Sequence, residues 1–276
     1  MNQELSLSFI GGGNMASALA SGLIGKRCGA SDVHVIDVNE TALAGWREQG
    51  VGTAAAPDEQ LSSRRVWIFA VKPQVMKETV AQCKPFLRPD TLVISIAAGI
   101  ESGTLAGWLG GDKPWTRLVR CMPNTPALIG AGISGLLALD GVSEDDRAVA
   151  QLLLKAVGEV VWVDNDDQLD AVTALSGSGP AYVFLFLEAL IQGGIDLGLD
   201  AQQSRKLALA TLHGATQLAA LSPETPATLR ERVTSKGGTT AAALSVFEQQ
   251  GFSALVQQAM RSAYQRAGQL ATEFAK

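Results

Sequence analysis

Seven residues near the start of the chain, Ile10-Gly11-Gly12-Gly13-Asn14-Met15-Ala16, constrain it more than any other stretch. They close an apolar run from Leu5 to Phe9 and open a helical pattern through Leu19, Leu23 and Ile24. A strand that becomes a helix within so few residues needs backbone free of side chains. Gly11 permits the tight turn, Gly13 lets the backbone approach a pyrophosphate, Ala16 lets helix and strand pack closely, and the helix N-terminus faces the anion. An ordinary glycine-rich loop is the competing reading. The context favours a dinucleotide site built from Ile10, Gly11, Gly12, Gly13, Asn14 and Met15. A second strand, Val33-His34-Val35-Ile36, ends at Asp37, the spacing of an acid that holds a ribose.

Short β-branched runs alternate with helical patterns through the first three-fifths of the chain, which implies parallel strands joined by right-handed crossovers. The pattern predicts helices over 40–49, from Gln74 and over 143–157, a short strand near Val51, and strands over 66–71, 92–96, 118–121, 133–139 and 160–163. Past Asp164 strand signals vanish. Helices are predicted over 168–175, 180–197, 201–221, 226–234, 239–250 and 253–275. Thr225 and Ser253 are expected as N-caps, Pro226 in a first turn and Gly251 after a helix end. The expected fold class is α/β: a doubly wound Rossmann-type sheet over residues 1–164, then an all-helical domain over 165–276 for substrate binding and dimerisation. So many Ala- and Leu-rich helices offer more apolar surface than they can bury alone, so a homodimer with interlocked helical domains is expected.

A chain of 276 residues, 47% hydrophobic and 18% charged, can carry two domains around large cores. Its net charge of -5, without a basic run, argues against nucleic acid or an anionic membrane and leaves small-molecule partners. Cys28, Cys83 and Cys121 show neither a CxxC pair nor a metal spacing, so no metal site is expected, and reduced thiols suit a cytoplasmic protein. Glu4 leads straight into the first strand with no basic segment, so no signal peptide is expected. The apolar stretch 181–199 is interrupted by Glu188, Gly193, Gly194 and Asp196 and reads as a buried helix rather than a membrane span.

In an open α/β sheet ligands sit at the carboxyl ends of the strands. Ala70-Val71-Lys72-Pro73 puts a lysine there. A solvated loop lysine is the common case, but at the ligand edge Lys72 reads as a contact to cofactor or substrate and as a candidate catalytic residue. Ile96, Ala97 and Ala98, followed by Gly99, offer clearance for the cofactor, with tight packing as the alternative. Asn124, between Pro123 and Pro126, offers its amide to a ribose or a ring carboxamide, or forms a purely structural turn. In Val233 through Thr240, the glycine pair Gly237-Gly238 leads into a helix flanked by Ser235, Lys236, Thr239 and Thr240, a nest suited to a carboxylate. Capping by Thr239 explains only part of that segment. Ser176-Gly177-Ser178-Gly179-Pro180 divides between a helix start and a substrate contact through Ser178. The two histidines, His34 and His213, read as packed or surface residues. A ketone needs a strong proton donor for the developing alkoxide, whereas an imine is basic enough to be protonated before hydride arrives, so a site of hydroxyls suits an imine.

Together these segments are similar to the pyrroline-5-carboxylate reductase family, and the similarity covers the whole chain. Its residues are Ile10 through Met15, Ala70 through Pro73, Ala97-Ala98-Gly99, Arg120 through Pro126, Leu175 through Tyr182 and Val233 through Thr240. The resemblance implies reduction of 1-pyrroline-5-carboxylate to L-proline with NADPH or NADH, the last step of proline synthesis. It also implies that Thr240 hydrogen-bonds the ring nitrogen, that Ser235, Gly238 and Thr239 belong to the carboxylate cradle, and that the chain forms a homodimer or a decamer built from dimers. Two features depart from the family. Asp37 would bind a ribose diol and repel a 2′-phosphate, which leans toward NADH, and Pro57-Asp58 stand where relatives often carry an asparagine. A β-hydroxyacid dehydrogenase would share the glycine pattern but need a lysine where this chain has Val183. A protein that merely senses NAD(P) would need no substrate cradle.

Overall fold

The computed structural model describes residues 5–275; Glu4, on which the expected lack of a signal peptide rests, lies outside them. The chain folds into two compact units, one holding residues up to Ser178 together with those from Ala263 onward, the other Gly179–Ser262.

In the first unit, strands β1 (Leu7–Ile10), β2 (Val33–Ile36), β3 (Gly52–Ala54), β4 (Val66–Phe69), β5 (Leu92–Ser95), β6 (Leu118–Met122), β7 (Gly132–Ala138) and β8 (Gly158–Trp162) form one sheet in the order 3-2-1-4-5-6-7-8. Helices α1 (Asn14–Leu23), α2 (Glu40–Glu48), α3 (Pro73–Cys83), α4 (Ser102–Gly110), α5 (Glu144–Lys155) and α6 (Asp166–Val172) connect them or follow the last. Successive side chains of a strand point to opposite faces. Phe9, Val35, Ile68 and Ile94 therefore pack with Leu19, Trp46 and Leu153 of α1, α2 and α5. Ile10, Ile36, Trp67, Phe69 and Val93 pack with Met76, Val80, Leu105 and Leu109 of α3 and α4 on the other side. With each such side chain worth ~1.5–3 kcal/mol when fully buried, a sheet apolar on both faces is stable only with helices on both.

The all-parallel expectation fails at the last two strands. β7 runs antiparallel to β6, and β8 is parallel to β7. Nine residues separate β6 from β7, too few for the crossover of a dozen or more that a parallel pair requires. Helix α4 has no counterpart among the predicted helices. Its sequence, Ser-Gly-Thr-Leu-Ala-Gly-Trp-Leu-Gly, carries three glycines that mask its helical period, yet it buries Leu105, Ala106 and Leu109.

The second unit holds α7 (Gly179–Asp196), α8 (Ala201–Leu221), α9 (Pro226–Arg232), α10 (Thr239–Gln249) and the start of α11 (Phe252–Phe274). Thr225 caps α9 by accepting from the Thr228 amide, and Gly251 takes a positive φ of 68° between α10 and α11. Ser253 lies inside the first turn of α11 rather than capping it. α7 and α8 meet closely enough that a Cβ on Gly194 would stand 2.8 Å from Ser204 Oγ. The expectation of a buried helix over 181–199 is corrected, since α7 has no buried residue in the single chain. Val183, Phe184, Leu185, Leu207, Leu218, Val246 and Leu255 are likewise exposed, the surplus of apolar surface anticipated for a dimer. The helical run Asp166–Asp196 is also long and apolar enough to cross a membrane, by length and composition only.

His34 is fully buried in β2, with Nδ1 3.3 Å from Ser8 Oγ and Nε2 3.6 Å from Asp58 Oδ2. Burial holds its imidazole below the ordinary value against the pull of Asp58. The unfolded chain takes up that proton near pH 6.5 and the folded chain resists it. Stability contributed by a neutral His34 is thus complete above about pH 6.5 and lost as the pH falls below it. Thermal melts from pH 7.5 to 5.5 are expected to fall less steeply for His34→Gln than for the parent; equal slopes would remove His34 from the acid response.

Candidate active site

The order of the sheet reverses at β1, which pairs with β2 on one side and β4 on the other. A crevice opens at such a switch point. The register levels the strand ends: Ile10 is paired with Ile36 and with Phe69, and Phe69 with Ser95. The turns that begin at Gly11, Asp37, Ala70 and Ile96 therefore share one edge.

The three glycines are small for three different reasons. Gly11 has φ +104°, and a Cβ there would stand 2.7 Å from the Ala70 carbonyl. Gly12 is pinned between partners: its N–H donates to Asp37 Oδ2 at 2.7 Å, its carbonyl accepts from Trp46 Nε1 at 3.1 Å, and a Cβ would strike the indole. Gly13 has φ −77°, ψ −171°, which any residue can adopt, and a Cβ there would meet nothing within 4 Å. No protein group demands a glycine at 13. It is the N-cap of α1, without a side-chain cap, so the first-turn N–H groups of Asn14, Met15 and Ala16 lack intrahelical partners. An anionic pyrophosphate fits that position in size and charge.

Beside this turn is a cavity of about 230 Å³ lined by Ile10, Gly11, Asp37, Val38, Val71 and Glu78 among others. Asp37 is locked in its wall, Oδ2 accepting from Gly12 and Oδ1 from the Asn39 N–H at 2.8 Å. Lys72 is exposed and serves as the N-cap of α3, with Pro73 in the first turn. Ile96 and Ala98 are half-buried at the edge, whereas the Ala97 side chain points into the core. Gly99 follows the packing alternative: at φ +72°, a Cβ there would stand 2.8 Å from Leu270 Cβ in α11.

Asn124 serves the structural turn that stood as one of its two readings. Its carboxamide is engaged at both ends, Nδ2 donating to the Ser176 carbonyl at 3.1 Å and Oδ1 accepting from the Ile133 N–H at 3.0 Å. One Nδ2 hydrogen is left for a ligand. In the Ser-Gly-Ser-Gly-Pro stretch α7 starts at Gly179, with Pro180 in its first turn. The backbone is π-helical over Thr173–Gly177, and a Cβ on Gly177 would collide with Met122. Such widened turns are frequent at functional sites. The half-buried Ser178 follows it, its amide donating to the Thr173 carbonyl.

Within the second unit, Gly237 takes φ +72° and Gly238 is the N-cap of α10, its amide donating to the Ser235 carbonyl at 3.0 Å. Capping by Thr239 is thereby excluded: Thr239 and Thr240 are the first two residues of the helix, and no side chain caps it. Uncapped N–H groups with hydroxyls beside them suit a carboxylate. A cavity of about 280 Å³ in this unit is walled by the flanking Thr234 and Ala241 and by none of Ser235 through Thr240.

A sequence profile for pyrroline-5-carboxylate reductase dimerisation matches residues 166–270, and one described as NADP oxidoreductase, coenzyme F420-dependent, matches residues 6–99. The pyrroline-5-carboxylate reductase of Pseudomonas aeruginosa is 43% identical over 270 residues, covering 97% of both chains. The chain belongs to the pyrroline-5-carboxylate reductase family. Among solved structures, the reductase of Coxiella burnetii is similar over 98% of this chain and 99% of its own, with TM-score 0.89 at 36% identity. That of Plasmodium falciparum, with NADP bound, covers 97% of this chain and 98% of its own, with TM-score 0.85 at 28% identity.

Two supports of this reductase's edge escaped sequence reasoning. Trp46 braces the Gly12 carbonyl from 34 residues away, signalled only by a lone tryptophan on an amphipathic helix. Arg120, 2% exposed, donates from Nη1 to Asp166 at 2.6 Å and from Nη2 to Asp170 at 3.3 Å, and Asp166 also accepts from Ser102 Oγ at 2.6 Å. That cluster ties β6 to the N-termini of α4 and α6.

Proposed function

We propose that this chain reduces 1-pyrroline-5-carboxylate to L-proline with NAD(P)H, the closing step of proline biosynthesis. Its kinship with reductases of that name along almost its whole length carries this reading. The nicotinamide cofactor supplies the hydride when bound. In this reading Ile10 through Met15 hold its pyrophosphate, Asp37 its adenosine ribose, and Ala70 through Pro73 with Ile96, Ala97 and Ala98 border the rest, Asn124 giving its remaining amide hydrogen. The domain limits proposed are 1–164 for the dinucleotide and 165–276 for substrate and dimerisation.

The substrate's carboxylate falls to the first-turn N–H groups of α10, the backbone of Gly237 and Gly238, and the hydroxyls of Ser235, Thr239 and Ser178. Thr240 holds the ring nitrogen, which already carries its proton, so no strong acid is needed at that atom. Lys72 is the second proposed catalytic residue, a cation at the cofactor's edge of the sheet. Val183 offers no acid for a developing alkoxide, which disfavours the hydroxyacid alternative.

The exposed apolar faces of α7, α8, α10 and α11 support a homodimer, covered by a second copy rather than by lipid. Light scattering separates a dimer from a decamer of dimers. The cytoplasmic assignment is supported by three free cysteines, with burial pushing the Cys83 and Cys121 thiols up to about 12.

Steady-state reduction of 1-pyrroline-5-carboxylate with each reduced nicotinamide tests the activity; no turnover with either refutes it. Thr240→Ala is expected to lower kcat about ten- to a hundredfold, the worth of one hydrogen bond to a charged group, with cofactor affinity unchanged. Native kcat in that variant would remove Thr240 from the mechanism.

A further inference from the structure

We infer that this reductase selects NADH over NADPH and that Asp37 determines the choice, an inference that rests on the proposed dinucleotide site. With a pyrophosphate at Gly13, the adenosine ribose falls at the end of β2, beside the 230 Å³ cavity. Asp37 and Glu78 are the charged groups in its wall, which contains no lysine, arginine or histidine among the described residues. The Asp37 carboxylate cannot swing aside, because the Gly12 and Asn39 amides hold one oxygen each at 2.7 and 2.8 Å. A carboxylate has about four lone-pair sites. Two are left, matching the two donors of a ribose diol, whereas a 2′-phosphate brings no donor there and about two negative charges.

The positions that follow offer no counter-charge. Val38 is apolar and 93% exposed. The Asn39 side chain is uncharged, and its Oδ1 caps α2, accepting from the Thr41 and Ala42 amides. Arg47 on α2 is held by both oxygens of Glu40 and by Thr53 Oγ1 at 2.9 Å.

Calorimetric titration of the full chain with NADH and with NADPH, alongside kcat/KM for 1-pyrroline-5-carboxylate with each, tests the inference. NADH is expected to bind and turn over about tenfold better or more, and the gap to narrow as salt screens the repulsion. Val38→Arg leaves Asp37 and both its amide partners in place and is expected to close the gap by strengthening NADPH. Asp37→Ser is expected to close it by weakening NADH. Equal or tighter binding of NADPH by the unaltered chain overturns the inference. Preferential NADH binding without turnover would leave the cofactor choice standing and sink the substrate assignment instead. Binding of neither cofactor overturns both.

Discussion

Gly13→Thr is expected to leave the fold intact and to weaken dinucleotide binding by about a hundredfold, roughly 2.7 kcal/mol. The two effects separate because the protein itself makes no use of that glycine. Its backbone conformation is open to any residue, and the space over its Cα is empty to 4 Å. Threonine is also about as good an N-cap as glycine, so α1 should change stability by only a few tenths of a kcal/mol. The added methyl and hydroxyl occupy the approach to the first-turn amides. Gly11→Ala provides the contrast, because a Cβ there strikes the Ala70 carbonyl and the fold itself should suffer. Calorimetric binding beside a thermal melt reads both quantities. Native cofactor affinity in Gly13→Thr would show that the pyrophosphate does not lie over that turn.

Arg120→Ala should cost the first unit about 3–5 kcal/mol, the usual penalty for removing one partner of a buried pair. Asp170 is the reason. Its side chain is 8% exposed, and burial already pushes its carboxyl up against the pull of Arg120. Without the guanidinium the carboxylate is stranded, and protonation becomes its way out. A carboxyl whose folded pKa lies above the unfolded value gains stability as the pH falls through the folded pKa. The deficit of Arg120→Ala relative to the parent should therefore shrink in acid. Urea melts at two pH values measure it, and a loss under about 1 kcal/mol would mean that the cluster is not holding β6 to α6. Arg120→Met with Asp170→Leu should recover much of the loss, since an apolar pair of similar volume often replaces a buried ion pair at little cost.

The legible parts of the chain were those where local chemistry and final environment agree. The strand at Val33–Ile36 and the helix at Ala201–Leu221 fall where periodicity puts them. The glycine turn could be read because a strand, a helix and an acid surround it within thirty residues. At Asn124 the sequence leaves a ligand contact and a structural turn both open. The amide is claimed by the Ser176 carbonyl, 52 positions away, and nothing near Asn124 signals that bond. The reversal of β7 was missed because apolar period reports burial and carries no direction. Burial of α7 was misjudged for a related reason: hydrophobicity says that a helix will be covered, without saying by which molecule.

The contact between Gly99 and α11 bears on how the protein is made. The first unit is discontinuous, and Leu270 and Phe274, which press on the Gly99 turn, are synthesised after every strand of its sheet. Domains generally fold as units while synthesis proceeds, but this one stays unfinished until translation has passed through α11. A nascent chain stalled short of Leu270 would carry the whole eight-stranded sheet with the turn after β5 uncovered.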